Sequence, residues 1–191
     1  MKEAIESLNR AAESREIQSS GHGDLVARYS EVVARGLGLS SDETADLVYA
    51  ARVHDVGKIF VEESILNKPG PLSDEEFLQI TMHPRMGAEI VGIIPHSKMM
   101  REALEFHHER FDGSGYPDRR RGEQIPLWGR IIALTDAFAN MVTEHSFSSA
   151  RTPDQALDEL VKMSGTRFDG MLVRVLLRGL KSERASSNPS L

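Results

Sequence analysis

The sequence predicts an all-α protein, and three observations carry that prediction. Apolar residues recur at three- and four-residue steps through most of the chain, as on one face of a helix. Capping-box pairs and proline or glycine breakers punctuate those runs. No stretch alternates apolar and polar residues as a half-buried strand would. Taken in order, residues 1–17 place Ile5, Leu8 and Ala12 on one side, which suits a docking helix or a coiled connector. Leu25, Val26, Tyr29, Val32, Val33 and Leu37 form the face of the next helix, stopped by Gly36 and Gly38. Ser40 with Glu43 opens a helix that carries Leu47, Val48 and Ala51 towards His54, and Gly57 weakens it beyond. After the breaker Pro69-Gly70-Pro71, Ser73 with Glu76 starts another. Pro84 sets His83 at a helix junction or kink.

Further helices are expected over about 97–108, after Pro126 through Phe138, after the Thr152-Pro153 cap, and from Phe168 to Leu180. Residues 109–124 hold Gly113, Gly115, Pro117 and Gly122 and read as a long loop. The expected organisation is a connector (1–17), one domain (18–180) and a disordered tail (181–191).

Composition excludes several function classes. A chain of 191 residues is one domain, long enough to bury ~two-thirds of its unfolded surface. The absence of cysteine excludes a disulfide scaffold, a thiolate zinc site, an iron–sulfur cluster and a cysteine nucleophile. A net charge of −6 speaks against a nucleic-acid polymer as partner. No apolar stretch at the N-terminus resembles a signal peptide, and Met171 to Leu180 is too short to span a bilayer. No membrane partner is expected, and the expected compartment is the cytoplasm.

Chemistry concentrates in His22, His54-Asp55, His83, His107-His108 and Asp136. A lone histidine on a helix is more often a satisfied polar residue than a ligand. Asp136, however, lies inside Ile131-Ile132-Ala133-Leu134-Thr135, where an ionised carboxylate is costly unless compensated. Asp55 follows Val53 and His54 on a helix expected to face the core. Imidazoles and carboxylates in a cysteine-free chain suit a shared divalent cation, and an Asp can join two. Two such ions would carry twice the charge of the two carboxylates, leaving a cationic centre suited to an anionic phosphodiester.

The wording around these residues resembles a known family. His54-Asp55-Val56-Gly57-Lys58 is similar to the HD-x-G-K signature of the HD superfamily of metal-dependent phosphohydrolases. His107-His108-Glu109 through Asp112-Gly113-Ser114-Gly115-Tyr116-Pro117 resembles the segment that names its HD-GYP branch. Asn67 to Leu72, His83-Pro84-x-x-Gly87, Gly122 to Pro126, and Arg130-Ile131 with Asp136 also match, so the likeness runs from about Gly21 to about Leu180. It implies an HD-type helical bundle with a multinuclear metal centre that hydrolyses cyclic di-GMP to the linear dinucleotide or GMP through a metal-bridging hydroxide. Carried over position by position, it implies His22, His54, Asp55, His83, His107, His108 and Asp136 as ligands. Asp55 would bridge, and Lys58 would orient a phosphate oxygen or help protonate the leaving oxygen.

The implied cofactors are two divalent ions, with Fe or Mn favoured and Zn or Ni as alternatives. Gly113, Gly115, Tyr116 and Pro117 would shape the site or dock GGDEF-type cyclase domains, and a homodimer is a further candidate assembly. Arg119, Arg120 and Arg121 would meet phosphate or an acidic partner; loop solubility is their plain account.

The sequence departs from the family in two places. Gln18 stands where some members use a Glu for a third metal, so two metals are expected. His145-Ser146-Phe147 stands where the family commonly reads Arg-Pro-Tyr, removing cations associated with substrate phosphates; Arg151 or the Arg119–Arg121 run would compensate. The alternative reading is a regulatory module that keeps its metals and acts by binding a partner through the Tyr116 loop.

Overall fold

The computed structural model describes residues 1–16, 21–143 and 150–187. The helices are α1 (Lys2–Glu13), α2 (His22–Leu37), α3 (Ser41–Arg52), α4 (Glu63–Leu66), α5 (Asp74–Thr81), α6 (His83–Val91), α7 (Lys98–Phe106), α8 (Leu127–Val142), α9 (Pro153–Lys162) and α10 (Gly170–Ser187). Among the described residues there is no β-strand, only an isolated bridge between Ser164 and Phe168. The predicted capping boxes at Ser40 and Ser73 form, and the predicted Thr152 cap forms as a box with Gln155. His83 sits at the junction of α5 and α6, where Pro84 occupies the first turn of the new helix.

Helix α8 is the central element, because its apolar residues lie on more than one face. Trp128, Ile131, Ile132, Leu134, Ala137, Phe138 and Ala139 are all buried. It packs against α2, α7 and α9, and α2 in turn packs against α3 and α10. The hydroxyls of Ser30 and Thr135 meet at 2.9 Å inside the α2–α8 contact, so neither is left unpaired there. This bundle brings the ends of α3, α5 and α7 to one side of α8, which places the site.

Two expectations change at the chain ends. Helix α1 docks through Ile5, Asn9 and Ala12, whereas Leu8 is exposed. Asn9 can be buried because its amide donates to the Arg52 carbonyl at 3.1 Å and to Glu13. Helix α10 runs on to Ser187, where disorder was expected from residue 181. Leu180 is buried and Arg184 Nη1 reaches Asp154 at 2.6 Å, so the added turns have tertiary partners.

Candidate metal centre

Three of the candidate ligand histidines are set by the same local device. A helix leaves its last carbonyls without intrahelical partners. His54 follows the end of α3, His83 that of α5 and His107 that of α7. Each returns its Nδ1–H to the carbonyl three residues back: Ala51 at 2.8 Å, Ile80 at 2.6 Å and Leu104 at 2.6 Å. A carbonyl can only accept, so each Nδ1 carries a proton and each Nε2 is turned to the interior. Gly57 lets these ends come together. A Cβ there would lie 2.0 Å from the His83 carbonyl oxygen and 2.6 Å from the Gly87 nitrogen.

The ligand atoms fall into two sets, each within 4.8 Å: Asp55, His83, His107 and His108, and then His22, His54 and Asp136. Asp55 faces both. Its Oδ1 lies 3.2 Å from His83 Nε2 and 3.8 Å from His107 Nε2, while Oδ2 lies 3.4 Å from His54 Nε2. His83 and His108 set their Nε2 atoms 3.2 Å apart. In the second set, Asp136 Oδ1 is 2.9 Å from His22 Nε2 and 3.8 Å from His54 Nε2, and accepts from Asn140 Nδ2 at 2.7 Å. Seven groups separated by up to 114 residues are thus brought together.

The electrostatics suit a cation. Burial, then the neighbouring His54 and His83 rings, push His107 down to about 3. Burial with His107 and His83 does the same to His108, so both rings are neutral, the form that ligates. Burial would raise Asp55, but the His54 ring, Lys58 and the hydrogen bond from His83 hold it well below the usual carboxylate range. Burial would likewise raise Asp136, and the His22 hydrogen bond lowers it instead. His107 Nε2 is buried and has no hydrogen-bond partner, a costly state for a lone pair. An orphaned nitrogen amid convergent imidazole and carboxylate donors fits a divalent metal, and sets of four and three donors leave positions open on a six-coordinate ion.

Lys58 lies beside this centre, its Nζ 2.8 Å from Asp55 Oδ2 and 2.9 Å from Glu16 Oε1. Burial would lower its pKa, but the two carboxylates raise it above the ordinary lysine value. Glu16 was not singled out from the sequence; it lies just beyond α1, at a turn with no motif. Arg15 fixes that turn by donating to the carbonyls of Ile59 and Val61, each at 2.7 Å. Asn140 was missed as well, although its place four residues after Asp136 on one helix was a usable signal.

A cleft of about 330 Å³ opens beside His107, His108 and Asp136, within the range of small-molecule sites. Gly115 and Tyr116 line it, and the Tyr116 ring stacks on His108 at 4.9 Å. A Cβ at Gly115 would meet the Arg110 nitrogen at 2.4 Å, which explains the glycine. Gly113 turns the loop at φ +82°, and Pro117 follows a cis peptide bond. Of the arginines that the resemblance assigns to phosphate or an acidic partner, Arg120 sits 3.6 Å above the Phe106 ring, the Arg121 main chain donates to Gln124, and the Arg151 main chain donates to Met141. Neither they nor Arg119 line the cleft. Gln18, His145, Ser146 and Phe147 lie outside the described residues.

An HD domain model matches residues 6–172, and the chain belongs to that family, in its HD-GYP branch. It is 40% identical over 179 residues to the cyclic di-GMP phosphodiesterase response regulator RpfG of Xanthomonas campestris pv. campestris, covering 91% of this chain and 47% of that protein. It is 36% identical to 3'3'-cGAMP-specific phosphodiesterase 2 of Vibrio cholerae, covering 92% of this chain and 34% of the relative. The chain therefore spans between about a third and a half of the length of these two relatives. The crystal structure of the V. cholerae cyclic GMP-AMP-specific phosphodiesterase V-cGAP3 shares the fold. Its TM-score is 0.70 at 22% identity, over 96% of this chain and 50% of that one. Among the described residues, no helix is long and apolar enough to cross a membrane.

Proposed function

We propose that the chain is a metal-dependent phosphodiesterase that opens a cyclic dinucleotide, cyclic di-GMP first among them. The carrying observation is the Asp55 carboxylate, which turns one oxygen to each of two ligand sets. Asp55, His83, His107 and His108 would hold one divalent ion, and His22, His54 and Asp136 a second. When bound, such ions activate water and offset the charge of a phosphoryl group under attack. The chain's own part is to hold the ring protons of His54, His83 and His107 on main-chain carbonyls, keeping every Nε2 aimed inward. Lys58, flanked by two carboxylates, retains its proton and serves as a fixed cation for a phosphate oxygen rather than as a proton donor. The Tyr116 loop walls the cleft against water.

Relatives named for cyclic di-GMP and for 3'3'-cGAMP support the substrate class. The test is turnover of cyclic di-GMP and of 3'3'-cGAMP by protein loaded anaerobically with Fe(II) or Mn(II), against Asp55→Ala. Product well above that control is expected. Bound metal without turnover of either compound would overturn the reading.

A further inference from the structure

The cleft beside the metal centre carries cations that no motif accounts for. The segment after the Tyr116 loop's start pairs with the segment before α10. The Phe111 N–H donates to the Arg167 carbonyl at 3.1 Å and the Asp112 N–H to the Thr166 carbonyl at 2.8 Å. This brings Arg110 and Arg167 to one wall of the cleft that holds His107, His108 and Asp136. Other arginines nearby are occupied: Arg130 Nη1 meets Asp169 at 2.5 Å, Arg85 Nη2 meets Asp118 at 2.6 Å, and Arg120 lies on Phe106. Arg167 differs. Among the described residues no ion pair holds its guanidinium, which lies over the Phe168 ring at 5.1 Å. Arg110 has only Asp112, at 3.9 Å. Of the acidic groups facing the cleft, Asp136 is held by His22, and Glu109 accepts the Asp118 N–H at 2.7 Å through Oε1 while its buried Oε2 has no hydrogen-bond partner.

We propose that Arg110 and Arg167 form a two-guanidinium clamp for the phosphodiester that is not being cleaved. The proposal rests on the reading of the site as acting on cyclic dinucleotides. Such a substrate carries two phosphodiesters on one ring. If one lies over the ligand sets, the other enters the cleft with a full negative charge and needs charge-assisted donors there. Guanidinium groups offer planar pairs of N–H donors matched to two phosphate oxygens. Phe77 and Tyr116 on the same walls offer faces for the bases. The clamp is thus a device for cyclic dinucleotides and is irrelevant to any compound with a single phosphodiester.

Arg110→Gln and Arg167→Gln in the metal-loaded chain test this, with cyclic di-GMP compared against bis(p-nitrophenyl) phosphate, which has one diester. Each variant is expected to raise KM for cyclic di-GMP about tenfold or more, with kcat within about twofold. Cleavage of bis(p-nitrophenyl) phosphate should be unchanged. Arg167→Lys should recover part of the loss, and the Kd from equilibrium dialysis should become less salt-dependent in the Gln variants. Unchanged KM and Kd for cyclic di-GMP would overturn the clamp while leaving the phosphodiesterase reading intact. Equal losses on both substrates would overturn it too, as structural damage. If the wild-type chain binds cyclic di-GMP without cleaving it, the phosphodiesterase reading falls. The clamp then stands on a tenfold weaker Kd in the variants and falls without it.

Discussion

In the set of Asp55, His83, His107 and His108, two of the three imidazoles are tied to main-chain carbonyls at helix ends. In the set of His22, His54 and Asp136 only His54 is tied that way, and His22 and Asp136 hold each other through side chains. A carbonyl at a helix end moves only with its helix, whereas a side-chain pair can rotate away. The comparison teaches that two sets of similar chemistry differ in preorganisation. The first should bind its ion more tightly and release it more slowly.

The largest expected effect comes from removing the residue the two sets share. Asp55→Ala should lower turnover at least about a thousandfold, about 4 kcal/mol of barrier, and metal analysis should show losses from both sets. A variant that lost only one ion would show that Asp55 serves one set. Next, chelator titration should release one ion before the other. Asn140→Ala should weaken only the early-released ion, by about ten- to a hundredfold, because it frees Asp136 alone. Equal release of both ions would break the comparison.

Glu16→Gln leaves both sets intact and removes one of the two carboxylates holding Lys58. It should lower kcat about tenfold with metal content unchanged. Loss of an ion instead would make Glu16 a ligand.

The last effect is on the stability of the metal-free chain, where His107 and His108 titrate in the opposite sense to His22. His107 and His108 lie below the unfolded histidine value, so between pH 7 and 5 the unfolded chain binds more protons and stability falls. The expected loss is about 2 kcal/mol for each of the two histidines, or about 4–8 °C in Tm apiece. For His22, burial would lower the pKa, but the Asp136 hydrogen bond raises it, so its contribution is full at low pH and is lost as pH rises. His22→Gln should therefore steepen the acid-side fall in a thermal melt.

Much of this was legible in the sequence because the ligands are rare residue types in apolar surroundings. Asp136 amid isoleucines and leucines, and paired histidines beside glycines, demand an explanation that surface residues do not. The helix starts were legible for a local reason, since a capping box is written within four residues. Glu16, Arg110 and Arg167 were not legible, because ordinary charged residues acquire a role only through distant neighbours. The density of Arg119, Arg120 and Arg121 in sequence likewise says nothing of which ring or carbonyl each will meet. Asn9 facing inward in place of Leu8 follows from the Arg52 carbonyl, an acceptor 43 residues away.

The shared ending of α3, α5 and α7 has an electrostatic consequence. Each helix turns its carboxyl end, worth about −0.5 elementary charge, toward the same few ångströms of protein interior. Each imidazole that caps such an end is polarised through its ring, which strengthens its inner nitrogen as an electron donor. The backbone itself therefore builds a negative well at the site. Two carboxylates among seven candidate ligand side chains are few for two dications, and three stacks of peptide dipoles supply attraction that no residue count reveals.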